Sequence, residues 1–76
     1  MPHVEISHYP ADLPEDVQQR LAAAIVTAVT EAFGVREGAV SIGLDGVDRE
    51  DWQQRVYRPL ITDRAAGTAL LRAPQY

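Results

Sequence analysis

The stretch PEDVQQRLAAAIVTAVTEAFG, ending at Gly34, constrains this chain more than any other. Its apolar residues fall at 17, 21, 24, 25, 28, 29, 32 and 33. That spacing puts one continuous apolar stripe on an α-helix and predicts a helix of about twenty residues. Asp12 and Glu15 are spaced as a capping box, and Pro14 suits a first turn. Gly34 suits the left-handed position just past the end. A helix this long with only one apolar face needs a partner layer.

The flanking segments supply one. HVEISHY alternates, with Val4, Ile6 and His8 on one face and His3, Glu5, Ser7 and Tyr9 on the other. This predicts a half-buried strand of about seven residues, ended by YPADLP. AVSIGLDGV alternates again, with Val40, Ile42 and Leu44 sharing a face. Strand, long helix and strand predict an α+β chain built on a β-α-β unit, its strands parallel and its crossover right-handed. The remainder reads as short helical pieces. Asp48 is the expected cap of a helix carrying Trp52 and Val56, ended or kinked at Pro59, with a second stretch near 62–72 anchored by Leu70 and Leu71.

Seventy-six residues without a repeat or linker predict a single domain, 1–76. A domain this small buries only about 60% of its unfolded surface. With no cysteine, no disulfide compensates. Two strands and one helix do not close a core, and a two-stranded sheet is marginal in water. Pairing with a second copy gives four strands backed by two helices, so a homodimer is expected.

The charge of −4 and pI near 4.9 argue against nucleic acid as a partner. All seven basic residues are arginines, and they are scattered. No apolar run is long enough to span a membrane. An acidic residue at position 5, with no apolar core after it, argues against a signal peptide. A cytoplasmic location is the expectation.

Elimination narrows the chemistry. Without Cys or Lys there is neither a thiolate nucleophile nor a lysine Schiff base. Ser7 and Ser41, the only serines, lie in predicted strands without a nucleophile-elbow context. His3 and His8 fall on opposite strand faces and do not share a metal site; His3 is read as solvated and His8 as partly buried and satisfied. Asp45, Asp48, Glu50 and Asp51 lack the spacing of a calcium loop and read as caps and a solvated face. No metal site is expected. What remains is the second residue. Initiator methionine is commonly removed before proline, which leaves Pro2 with a secondary amine. An α-amino group titrates near 8 in short peptides, about two units below a lysine side chain. Apolar surroundings destabilise its ammonium and bring it toward neutrality, where it serves as a general base. If Met1 stays, the Pro2 nitrogen is a tertiary amide with no basicity.

"MP" opening a short strand, the long amphipathic helix, the second strand "VSIGL" and Trp52 together resemble the 4-oxalocrotonate tautomerase family over essentially the whole chain. "MPH", "VSIGL…DREDW" and the closing "PQY" resemble the dimeric, phenylpyruvate tautomerase-like branch. The resemblance implies cofactor-free keto–enol tautomerisation of a small 2-oxo acid or enol, with the processed Pro2 as general base. It implies substrate-binding roles for Trp52, as the aromatic wall of the pocket, and for Tyr9, Ser41 and Arg58; Arg64 is a further candidate cation. The family's type enzyme carries an arginine shortly after the first strand and another early in the second. Here Ala11, Asp12 and Ser41 stand in those places, which disfavours a dicarboxylate and favours a monoacid such as phenylpyruvate. Two other readings stay open: a hydratase or dehalogenase acting on an unsaturated acid, and a non-catalytic dimeric binding module if Met1 is retained.

Overall fold

The two alternating segments pair side by side. In a computed structural model that describes residues 1–64 and 67–76, strand β1 (His3–His8) and strand β2 (Ser41–Gly46) form a parallel two-stranded sheet. The register runs from His3 opposite Ser41, through Val4 opposite Ile42 and Ile6 opposite Leu44, to His8 opposite Gly46. Alternation therefore stacks apolar on apolar across one face. The other face carries His3, Glu5 and Ser7 beside Ser41, Gly43 and Asp45. The expected α+β, β-α-β arrangement is what the chain adopts.

Between the strands runs helix α1 (Glu15–Phe33). It lies on the apolar sheet face: Leu21 and Ala22 border one hollow with Ile42 and Leu44, and Val29 and Phe33 border another with Pro2 and Val4. Gly34 ends the helix with φ 66° and ψ 35°, its N–H donating to the Thr30 carbonyl at 2.9 Å. That left-handed conformation suits a residue without Cβ. The start differs from the capping-box expectation. Pro14 itself is the capping residue, no side chain caps the helix, and the first bond is Gln18 N–H to the Pro14 carbonyl. Proline's fixed φ already points the chain into the first turn, which leaves Asp12 outside it. The Gln18 side-chain amide instead donates to the Leu13 carbonyl at 2.8 Å. A single 3₁₀ turn, Glu37–Ala39, leads into β2 and buries Ala39.

The chain divides into two compact units, Met1–Gly46 and Val47–Tyr76. The second opens with a 3₁₀ turn, Arg49–Asp51, closed by the Asp51 N–H on the Asp48 carbonyl rather than by the Asp48 side chain. From Gln53 to Thr62 the backbone is a π-helix that runs through Pro59. The Asp63 N–H donates to the Arg58 carbonyl at 2.8 Å, five residues back. Proline neither donates in the ladder nor fits against the carbonyl four residues earlier. The wider π winding removes that contact, so Pro59 neither stops the helix nor marks its end. The second helix expected near 62–72 does not form in the described residues. Thr62 closes the π-helix, residues 63, 64 and 67–72 make a turn, bends and irregular chain, and residues 65 and 66 lie outside the described residues. Gly67 has φ 86°, outside helical backbone.

Among the described residues, the buried apolar side chains are Ala39, Val47 and Val56, and none belongs to α1. Leu21, Phe33 and Leu44 remain exposed although they sit on the apolar faces.

Candidate functional site

Pro2 sits immediately before β1, where the parallel register brings the start of β2 alongside it. The Ser41 backbone N–H donates to the Pro2 carbonyl at 3.2 Å, extending the ladder one step beyond the strand. Pro2 is half-buried and borders an open hollow of about 490 Å³ with Met1, His3, Val4, Val29 and Phe33. Most of those side chains are apolar. The last two turns of α1 supply two of them, because the helix returns toward the start of β1. Met1 is 95% exposed, so the peptide bond ahead of Pro2 is accessible.

On the sheet face away from α1, three side chains are joined. His3 Nδ1 and Ser41 Oγ lie 2.6 Å apart, and His3 Nε2–H donates to Glu5 Oε1 at 3.0 Å. Gly43, opposite Glu5, makes the space. A Cβ there would lie 2.5 Å from Glu5 Oε2. Sequence reasoning read His3 as merely solvated and missed this network. The signal was available in the register: once Val4 faces Ile42, His3 must face Ser41 and Glu5 must face Gly43.

The remaining expected site residues are distributed along the chain. Tyr9 follows β1 at the end opposite Pro2, roughly 20 Å away along an extended strand, so one chain does not bring those two together. Its carbonyl accepts from His8 Nδ1–H at 2.6 Å, which is the satisfied histidine expected there. Trp52 and Arg58 belong to the second unit. Trp52 is half-buried between the 3₁₀ turn and the π-helix, and its indole N–H donates to the Tyr76 phenol oxygen at 3.3 Å. The Tyr76 ring in turn tilts against Tyr57, centroids 5.8 Å apart. Arg58 is exposed, and its carbonyl accepts from the Asp63 N–H and the Thr62 hydroxyl. Arg64 is engaged with the backbone. Its Nη1 donates to the Leu60 carbonyl at 2.9 Å, and its Nε donates to the Thr68 carbonyl.

Among the described residues, no three His, Asp or Glu side chains are grouped to hold a metal ion. No helix there is long and apolar enough to cross a membrane.

No family model matches the chain. Individual relatives do. A protein named Tautomerase PptA from Enterobacter sp. (strain 638) is 37% identical over 57 residues, 75% of each chain. Tautomerase PptA of Cronobacter sakazakii is 30% identical over all 76 residues and 97% of its own length. A probable tautomerase of Xylella fastidiosa is 33% identical over the same 76 residues, 89% of its length. The Cronobacter and Xylella matches take in the whole chain, β1, α1, β2 and the segment beyond. The chain belongs to the 4-oxalocrotonate tautomerase family, a family of isomerases.

Proposed function

We propose that this chain is a cofactor-independent tautomerase that interconverts the keto and enol forms of a small 2-oxo acid such as phenylpyruvate. Pro2, freed by removal of Met1, is the general base. Residues 1–76 act as one domain, the protein works as a homodimer in the cytoplasm, and Trp52, Tyr9, Ser41 and Arg58 contact the substrate. The observation that carries the reading is the placement of Pro2. It is tied by its carbonyl to Ser41 and borders a hollow walled mainly by Val4, Val29 and Phe33. The names of the relatives support the reaction class.

The chemistry follows from that placement. The pyrrolidine ring fixes φ, and the carbonyl bond holds the residue against the sheet, so the freed nitrogen has a defined direction. Apolar neighbours solvate an ammonium poorly and keep a useful fraction of the amine neutral. The neutral amine removes a proton from C3 of the keto acid; the C–H pair becomes the C2–C3 double bond, and the carbonyl pair moves to oxygen. The ammonium then gives the proton to that oxygen, and the enzyme is unchanged. No redox step enters, so the reaction needs no cofactor. With Ala11, Asp12 and Ser41 in place of arginines, a substrate with one carboxylate fits better than a dicarboxylate.

The test is ketonisation of enol-phenylpyruvate by purified wild type and by Pro2→Ala, with intact mass measured on both. Wild type is expected to lack Met1 and to exceed the variant by at least about 100-fold in kcat/KM, the scale of a positioned acid–base group. Equal rates would overturn the tautomerase assignment.

A further inference from the structure

We infer that Phe33 sets substrate preference: it is the wall against which the C3 substituent of the 2-oxo acid lies, and it selects aryl over short alkyl groups. This rests on the tautomerase reading above and deepens it, naming which part of the substrate enters the hollow beside Pro2 and which part stays outside.

Three observations carry it. Phe33 borders the same hollow as Pro2, together with Met1, His3, Val4 and Val29. It is the last residue of α1, and Val29 lies one turn before it, so both side chains leave the helix on one face. The Gly34 N–H closes that last turn on the Thr30 carbonyl, which holds the backbone of Phe33 in place. Phe33 is nevertheless 69% exposed. A large aromatic side chain left in water beside the candidate base is surface that a substrate's ring can cover.

The polarity of the hollow orients the substrate. Val4, Val29 and Phe33 are apolar, and among the described residues no arginine borders it. His3 is its only polar side chain, and both ring nitrogens are engaged elsewhere, with Ser41 Oγ at 2.6 Å and Glu5 Oε1 at 3.0 Å. A carboxylate placed against these walls would lose its hydration without gaining a partner. The carboxylate therefore points to the open mouth, and the apolar end of the substrate faces inward. Substrate length fixes what that end touches. Pro2 takes its proton from C3, and in phenylpyruvate the ring is one bond from C3. A nitrogen within reach of that proton thus has the ring in its own hollow, where Phe33 is the aromatic hydrocarbon surface. At about 490 Å³ the hollow falls in the range of small-molecule sites, about 300–1,000 Å³.

The experiment follows exchange of the C3 hydrogens for deuterium in D₂O by ¹H NMR. The substrates are phenylpyruvate and 2-oxobutanoate, which carries a methyl where the other carries a phenyl. Each passage through the enol replaces a C3 proton removed by Pro2 with a deuteron from solvent. Wild type, Pro2→Ala, Phe33→Ala, Phe33→Leu and Leu21→Ala are compared, with circular dichroism for fold and light scattering for mass. Wild type is expected to prefer phenylpyruvate in kcat/KM, and Phe33→Ala to lower that preference about 30-fold, the scale of lost apolar complementarity. Phe33→Leu, which keeps apolar bulk without the ring, is expected to fall between. Leu21 stands roughly 18 Å earlier along α1, in the hollow with Ile42 and Leu44, and Leu21→Ala is expected to keep the wild-type preference. Binding gives a readout free of turnover: Pro2→Ala is expected to bind 3-phenylpropanoate about tenfold more tightly than the Pro2→Ala, Phe33→Ala double variant. Wild type no faster than Pro2→Ala overturns the reaction. Wild type active, with Phe33→Ala keeping its preference, overturns the inference alone. If Phe33→Ala loses its fold or changes its mass, Phe33→Leu decides, and an unchanged preference there overturns the inference.

Discussion

The backbone N–H of Ser41 donates to the Pro2 carbonyl at 3.2 Å, one register step before the paired strands begin. The bond uses the part of Pro2 that every amino acid shares and leaves the ring nitrogen out of the ladder. Replacing Pro2 by alanine therefore preserves the tie. Pro2→Ala is expected to melt within a few degrees of wild type while losing its catalysis, and paired melting and kinetic measurements check both halves. A variant that unfolds would assign Pro2 a structural role first.

Leu21, Phe33 and Leu44 lie on the faces where helix and sheet meet, yet remain exposed, and α1 buries no residue fully. A second copy covering such surface would stabilise the chain by mass action. The melting temperature is expected to rise as protein concentration is raised about 100-fold, which for a bound partner corresponds to about 2.7 kcal/mol. Light scattering is expected to give twice the mass of the chain. A concentration-independent melt at monomer mass would contradict the dimer.

Trp52 and Tyr76 are 24 residues apart and hydrogen-bonded, with Tyr57 against the same phenol ring. Tyr76→Phe removes only the acceptor oxygen and is expected to cost about 1 kcal/mol or less, because the indole is half-buried and water can replace it. Tyr76→Ala also removes the ring pair and is expected to cost about 1 kcal/mol more. Urea unfolding followed by tryptophan fluorescence reads both. Equal losses for the two variants would show that the ring contact contributes nothing.

Gly34 carries φ 66°, and nothing approaches the place where its Cβ would stand. Gly34→Ala therefore isolates the backbone penalty of the left-handed cap, expected at about 1 kcal/mol. A thermal melt of the variant measures it. An unchanged melting temperature would mean the helix end relaxes without loss.

The β-α-β unit was legible because two periodicities with no competing reading followed one another. Period 2 in HVEISHY and VSIGLD, and the helical stripe from Val17 to Phe33, each fix one element. Gly34 was legible for the same reason, since only one backbone conformation there suits a glycine. The errors came where a residue's usual role was taken without its neighbours. Asp12 and Glu15 have capping-box spacing, but Pro14 between them sets the turn by itself. Pro59 reads as a helix stop only if the helix is α, and a bond to the fifth residue back is invisible to an α-helical template. For the site, the family resemblance singled out Pro2 from the sequence. The His3–Ser41–Glu5 network stayed hidden because it depends on which residues face each other across strands 38 positions apart in sequence.

The π-helix from Gln53 to Thr62 gives this segment a length tolerance that an α-helix lacks. A π turn closes with one residue more than an α turn, so deleting a single residue there can be absorbed by tightening rather than by unravelling. A chain that loses one residue between Trp52 and Asp63 can thus keep a continuous helix. What such a change alters is the direction in which every later side chain leaves the axis, Arg58 among them when the change precedes it. A single-residue deletion in this stretch would consequently re-aim side chains without redesigning the fold.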